Sequence, residues 1–149
     1  MTYQNLTKGR VSLPWHAYHI TTVTWNRQPW FANFNVARLV IAEMRQTHNA
    51  KTLNSLAWVL MPDHLHWLFQ LNDEATLSAV MNLFKGRSAR TVNLYLGRTG
   101  KVWQRAYFDH ALRKDEDLQS VARYIVGNPL RKGLVNHIGD YPYWDAIWL

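Results

Sequence analysis

SLAWVLMPDHLHWLFQL, from Ser55 to Leu71, holds two apolar runs divided by Pro62-Asp63. Ser55–Met61 is short and almost wholly apolar, which fits a buried strand. Pro62-Asp63 breaks it, and His64–Leu71 resumes as a second strand, so the stretch predicts a hairpin. Strand side chains alternate faces, so His64 and His66 point to one side while Leu65 turns into the opposite layer. The break places the pair at a strand start, near the sheet rim, where a substrate can reach it.

Working outward, His16–Trp25 is rich in β-branched and aromatic residues and predicts a strand. From about Asn33 to Thr47 the pattern turns helical, with Val36, Leu39, Val40 and Met44 on one face. Beyond the hairpin, a long helix is expected from about Ala75 to Tyr95, its inward stripe made of Leu77, Val80, Met81 and Phe84. Gly97-Arg98-Thr99-Gly100 ends it, and Val102–Arg113 predicts a further strand. Asp115 suits the N-cap of a last helix, with Glu116 and Asp117 in the first turn, where the helix dipole favours negative charge. That helix carries Leu118, Val121, Ala122 and Ile125 inward and stops near Gly127, ahead of Asn128-Pro129. Strand, helix, strand, strand, helix, strand, helix suits an α+β layer: a mostly antiparallel sheet with helices packed on one face. The ferredoxin-like (RRM-like) arrangement is the simplest such fold.

Residues 1–149 contain no repeat and no linker long enough to separate a pair of domains, so a single domain is expected. Cysteine is absent, which excludes disulfides and thiolate metal sites. Polar residues interrupt every apolar stretch before it could span a membrane, and Met1–Asn5 does not read as a secretory signal. The expected compartment is the cytoplasm. Seventeen Lys and Arg against ten Asp and Glu leave a net charge of +7, which suits a polyanionic partner. The basic residues concentrate between Lys85 and Lys132, and the chain as a whole carries eight Trp, seven Tyr and five Phe that could stack unpaired bases. A packed aromatic core under a solvated basic face would show the same composition.

Two imidazoles on one side of a strand can chelate a divalent cation, although two hydrogen-bonded surface histidines would look alike in sequence. On the last helix Tyr124 falls roughly 100–120° from the centre of the apolar stripe, a boundary position flanked by Ser120 and Asp117. There a ring can lie on the core and present its hydroxyl to a site, or simply pack. Asn128, four residues on, would sit nearly beneath Tyr124 if the helix continued, but Pro129 disfavours that conformation. It is either a third, neutral oxygen ligand or the end of the helix. A phenol of pKa near 10 attacks a phosphodiester poorly unaided. A cation on the scissile phosphate supplies the missing help.

Met61-Pro62-Asp63-His64-Leu65-His66-Trp67-Leu68-Phe69 resembles the HUH motif of single-tyrosine transposases, in which two histidines bracket a hydrophobic residue. Residues Tyr124 to Val135, YIVGNPLRKGLV, resemble the tyrosine-helix signature of the REP-associated tyrosine transposases. Gly100–Arg113 and the opening Tyr18–Thr24 are similar to that group as well, so the likeness runs from about residue 16 to 144.

The resemblance implies a ferredoxin-like HUH fold with the catalytic tyrosine on a C-terminal helix. It implies Mg²⁺ or Mn²⁺ held by His64 and His66, with Asn128 at the family's further ligand position. Tyr124 would attack single-stranded DNA at hairpins of short palindromic (REP-like) repeats, giving a 5′-phosphotyrosine and a free 3′-hydroxyl, then rejoin strands without ATP. The chain would be a monomer, or a homodimer exchanging the tyrosine helix. The DNA-contact candidates are Lys85, Arg87 and Arg90 on the second helix, with Arg98, Lys101 and Arg105 after it; each could equally be a solvated cation. His110 has two readings, positioning phosphate or water and donating to a buried carbonyl. Two other functions are expected less: a nickase of replication or conjugation, and a hairpin-binding module without catalysis.

Overall fold

The alternation of the hairpin runs through the whole sheet in the computed structural model, which describes residues 16–72, 74–113 and 116–148. Strands β1 (Ala17–Val23), β2 (Leu53–Met61), β3 (His64–Leu71), β4 (Phe108–Ala111) and β5 (Trp144–Ala146) form one antiparallel sheet in the order β4-β1-β3-β2-β5. Helix α1 (Phe34–Asn49) joins β1 to β2, and α2 (Leu77–Leu96) joins β3 to β4. Helix α3 (Leu118–Val126) and the single-turn α4 (Asn128–Arg131) follow. The first four strands and two helices make the expected ferredoxin-like unit. No helix among the described residues is long and apolar enough to cross a membrane.

Leu65, Trp67, Phe69 and Leu71 leave β3 on one side and meet Val36, Val40 and Met44 of α1 and Val80, Met81 and Phe84 of α2. Within this layer the Trp67 indole N–H donates to Ser55 Oγ and that of Trp103 to Ser88 Oγ, both at 2.9 Å. Asn33 caps α1 by accepting from the backbone of Asn35 and Val36, and Thr76 caps α2 through Ala79. Gly97 ends α2 at φ 64°, a left-handed position that costs glycine little.

The other side of the sheet is half covered. Ala122 and Ile125 of α3 pack with Val59, Met61 and Leu68, so helices lie on both faces and not on one. The near-continuous apolar run of β2 is the reason, since a strand buried on both sides needs cover on both.

Four other expectations change. The strand expected at 16–25 ends at Val23, because Trp25–Arg27 turns with Asn26 at φ 56° and Arg27 at φ 52°. Of Val102–Arg113 only Phe108–Ala111 is strand. Upstream, Trp103 makes one isolated bridge to Thr24, and the Lys85 ammonium binds the carbonyls of Gln104 and Arg105 at 2.7 and 3.0 Å. Asp115 lies outside the described residues; the N-cap of α3 is Asp117, which accepts from Gln119 N, and Glu116 turns away from the helix. Strand β5 pairs with β2 and has no counterpart among the expected elements, three residues being too few to show a period.

Candidate functional site

Because α3 covers only the β2 side of its face, the β1–β4 side stays open beside the histidines. A cavity of about 430 Å³ forms there, and His64, His66, Tyr124 and Asn128 all line it. Four residues read from sequence as one site are thus brought together from two strand positions and two helices.

His64 and His66 stand side by side, ring centroids 5.0 Å apart. Each imidazole is held by its inner nitrogen. His64 Nδ1 donates to the Asp63 carboxylate at 2.7 Å. His66 Nδ1 lies 3.0 Å from Thr21 Oγ1 and 3.0 Å from His19 Nε2. Burial, aided by the neighbouring His19 charge, pushes the His66 pKa down to about 3. Burial and then His110 bring His19 to about 4, so both rings are neutral near pH 7. Burial alone would raise Asp63, but the hydrogen bond and charge of His64, with Arg27 beyond, hold its carboxyl below the usual range. The Arg27 guanidinium reaches that carboxylate at 3.4 Å.

These features fit a divalent cation. Imidazoles whose Nδ1 atoms are engaged by hydroxyl, imidazole or carboxylate partners have Nε2 left to ligate, in the manner of supported metal-binding histidines. Asn128 is buried and its amide nitrogen donates to Ile125 O at 3.2 Å, which leaves the amide oxygen as the atom able to ligate a cation. Among the described residues no three His, Cys, Asp or Glu side chains gather to hold a metal, so this set is small and nearly uncharged.

Tyr124 lies on the exposed boundary of α3, 59% accessible. The Arg131 guanidinium stacks on its ring at 3.9 Å and donates to the Tyr124 carbonyl. Gly127 makes that fold-back possible, because a Cβ there would come within 2.8 Å of the Arg131 guanidinium. Asn128 does not end the helical path. Gly127 keeps helical angles (φ −77°, ψ −5°) and α4 starts at Asn128, where Pro129 occupies a first turn that needs no N–H from it.

The six cations named from sequence lie elsewhere. Lys85 is tied to carbonyls and faces the Tyr107 ring at 5.4 Å. Arg87 pairs with Glu43 of α1 at 3.1 Å. Arg98 covers Trp30, and Lys101 covers Trp25. Arg90 and Arg105 are exposed. Lys85, Lys101 and Arg105 border a separate cavity between α2 and the following loop. The cations of the histidine cavity are instead Arg27, Arg131 and Lys132. The His110 Nε2 sits 3.0 Å from the Glu116 carboxylate. Sequence reasoning missed His19 and Thr21, although they alternate along β1 as His64 and His66 do along β3. It also passed over Arg131 and Lys132, which stand within the tyrosine block itself.

A family model described as "Transposase IS200 like" matches residues 13–128. A Haemophilus influenzae protein, provisionally named a REP-associated tyrosine transposase, is 31% identical over 110 residues, 66% of this chain and 62% of that protein. The Escherichia coli REP-associated tyrosine transposase is 27% identical over 88 residues, 58% of this chain and 50% of its own length. The matched region of the chain therefore spans between half and two thirds of these curated relatives. A solved REP-associated tyrosine transposase bound to a REP hairpin superposes with a TM-score of 0.75 at 20% identity, covering 91% of this chain and 79% of that one. At that identity the superposition establishes the ferredoxin-like fold alone.

Proposed function

The chain belongs to the IS200-like transposase family, and on that premise we propose that it cuts and rejoins single-stranded DNA at hairpins through Tyr124. The observation that carries this reading is the convergence of Tyr124, His64, His66 and Asn128 on one cavity with Arg27, Arg131 and Lys132. A nucleophile, a cation-ready pair and a phosphate-attracting rim are what a phosphodiester transfer needs.

His64 and His66 would hold Mg²⁺ or Mn²⁺ through Nε2, with Asn128 as the further ligand and the DNA phosphate completing the shell. Bound there, the metal would draw charge from the scissile phosphate and orient it. Asp63, Thr21 and His19, which engage the Nδ1 atoms, would orient the imidazoles to hold it. Tyr124 Oη attacks phosphorus, its phenolic proton is released, and a 5′-phosphotyrosine forms. The departing 3′-oxygen takes up a proton to become the free hydroxyl. Attack by such a hydroxyl reverses the step, so the exchange is close to isoenergetic. Arg131 holds the tyrosine ring and places a positive charge beside the phosphate as it gains negative charge. Away from the cavity, Arg90, Lys101 and Arg105 would meet the phosphates of the hairpin stem.

End-labelled hairpins with single-stranded tails, incubated with Mn²⁺, should give a denaturation-resistant adduct that maps to Tyr124. Tyr124→Phe keeps the ring and should fold, bind metal and bind hairpin as before while forming no adduct. Label on Tyr107 or Tyr95, or an adduct formed by Tyr124→Phe, would end the assignment.

A further inference from the structure

Phe108 opens β4 and is 76% exposed, although it lines the same cavity as His66 and Tyr124. The register explains where it stands. Thr21 pairs with His66 on one side and with Phe108 on the other, so the three residues form one row across β3, β1 and β4. Directly paired residues share a face, and the small Thr21 is all that separates the phenyl ring from the imidazole. Two strand spacings put the Cα atoms of His66 and Phe108 about 10 Å apart, a span that one nucleotide covers once both side chains rise from the sheet.

Other aromatics near this end of the molecule already carry a cation on their faces: Arg131 over Tyr124, Lys101 over Trp25 and Lys85 over Tyr107. Among the described residues no such cation covers Phe108. An uncovered phenyl beside Arg27, Arg131 and Lys132 is what a base-stacking surface requires: a π-face for the base and cations for the backbone on either side of it.

We propose that Phe108 is the stacking platform for the unpaired base next to the phosphate held at His64 and His66. This rests on the reading of the cavity as a site for single-stranded DNA. Phe108 acts by positioning: a base clamped on the ring fixes the phosphate beside it against Tyr124. Stacking reads the face of a base and not its edge, so the contact tolerates any base.

The test uses hairpins with a single-stranded tail in which 2-aminopurine is walked through successive positions, bound to the Tyr124→Phe protein so that no cleavage intervenes. Fluorescence should be quenched by stacking at one position. Phe108→Ala should remove that quench and weaken binding of the tailed hairpin roughly tenfold or more, with the tailless hairpin unaffected. Phe108→Trp should preserve both effects, whereas Phe108→Leu, apolar but without a π-face, should behave like Ala. All three should melt near the parent temperature, the side chain being exposed.

Tail affinity and quench that survive Phe108→Leu would overturn the proposal, as would equal losses on tailed and tailless hairpins. A protein that binds no tailed hairpin at all would instead overturn the DNA reading, and the stacking platform with it. Adduct formation at Tyr124 that is indifferent to Phe108 would overturn only the platform.

Discussion

His66 and Trp67 are consecutive residues whose side chains enter opposite environments. Trp67 is fully buried among rings, with Phe69 and Phe84 edge-on at 5.1 and 5.2 Å. His66 is half-buried, held by Thr21 and His19, and borders a cavity rimmed by cations. One face of β3 is closed by two helices, and the other is covered only where α3 reaches. The difference teaches how a small sheet divides its work. The closed face supplies the apolar burial that makes the fold stable, and this leaves the other face room to keep half its width open for polar groups.

If that division is right, neighbouring substitutions should separate cleanly. Trp67→Ala empties a ring-sized volume in the closed layer and should cost about 3–5 kcal/mol, read as a lower urea midpoint. His66→Ala removes one hydrogen-bonding ring from a partly wet face and should cost only about 1 kcal/mol. It should nevertheless abolish Mn²⁺ binding measured calorimetrically and all adduct formation. A His66→Ala protein as unstable as Trp67→Ala would show that the open face is structural after all.

The closed face was legible because its signal is periodic. Leu65, Trp67, Phe69 and Leu71 recur at every second position, broken in pattern only by Leu68 on the other face, and Val80, Met81 and Phe84 repeat at helical spacing, so the layer could be drawn from sequence. The open face was legible only where a short motif marks it. His64, His66, Tyr124 and Asn128 stand out in the sequence, yet the residues that hold them do not. His19 and Thr21 lie more than forty positions from His66 and reach it only through strand pairing. Arg131 reaches Tyr124 only by folding back across Gly127. The basic run on α2 attracts attention because charge is conspicuous, although Arg87 and Lys85 are occupied in joining elements of the fold. What a cation faces is a tertiary fact.

The two faces should also differ in acid. His19 and His66 are depressed to about 4 and about 3, against an ordinary 6.5 when unfolded. Between pH 6.5 and 4 the unfolded chain binds protons that the folded chain refuses, so stability is lost as pH falls through that window. Above 6.5 the contribution is fully present. Urea midpoints should fall by the equivalent of about 3 kcal/mol between pH 6.5 and 5, the two rings contributing about equally. His19→Gln, which keeps a hydrogen-bonding group, should flatten that decline. The four core positions of β3 carry no titrating group, so Trp67→Ala should run parallel to wild type, offset by a constant. Parallel curves for His19→Gln as well would place the acid sensitivity outside the histidine cluster.

The smallest effect concerns the two groups of cations. Arg131 and Lys132 border the cavity, whereas Arg90, Lys101 and Arg105 lie on α2 and the loop beyond it. Each cation that neutralises a phosphate releases counterions, contributing about 0.7 to the logarithmic salt slope on single strands and about 0.9 on duplex. Arg131→Ala with Lys132→Ala should therefore lower the slope by about 1.4 for a tailed hairpin, leaving a tailless one unchanged. Replacing Arg90, Lys101 and Arg105 together should lower the slope for both, since their proposed contact is the stem. Arg87→Ala should leave either slope alone and show itself only as a modest loss of stability, because it removes the ion pair of Glu43 and leaves it the Thr91 hydroxyl alone. Should the α2 group alter only tailed hairpins, or the cavity pair only stems, the DNA would cross the molecule the other way round.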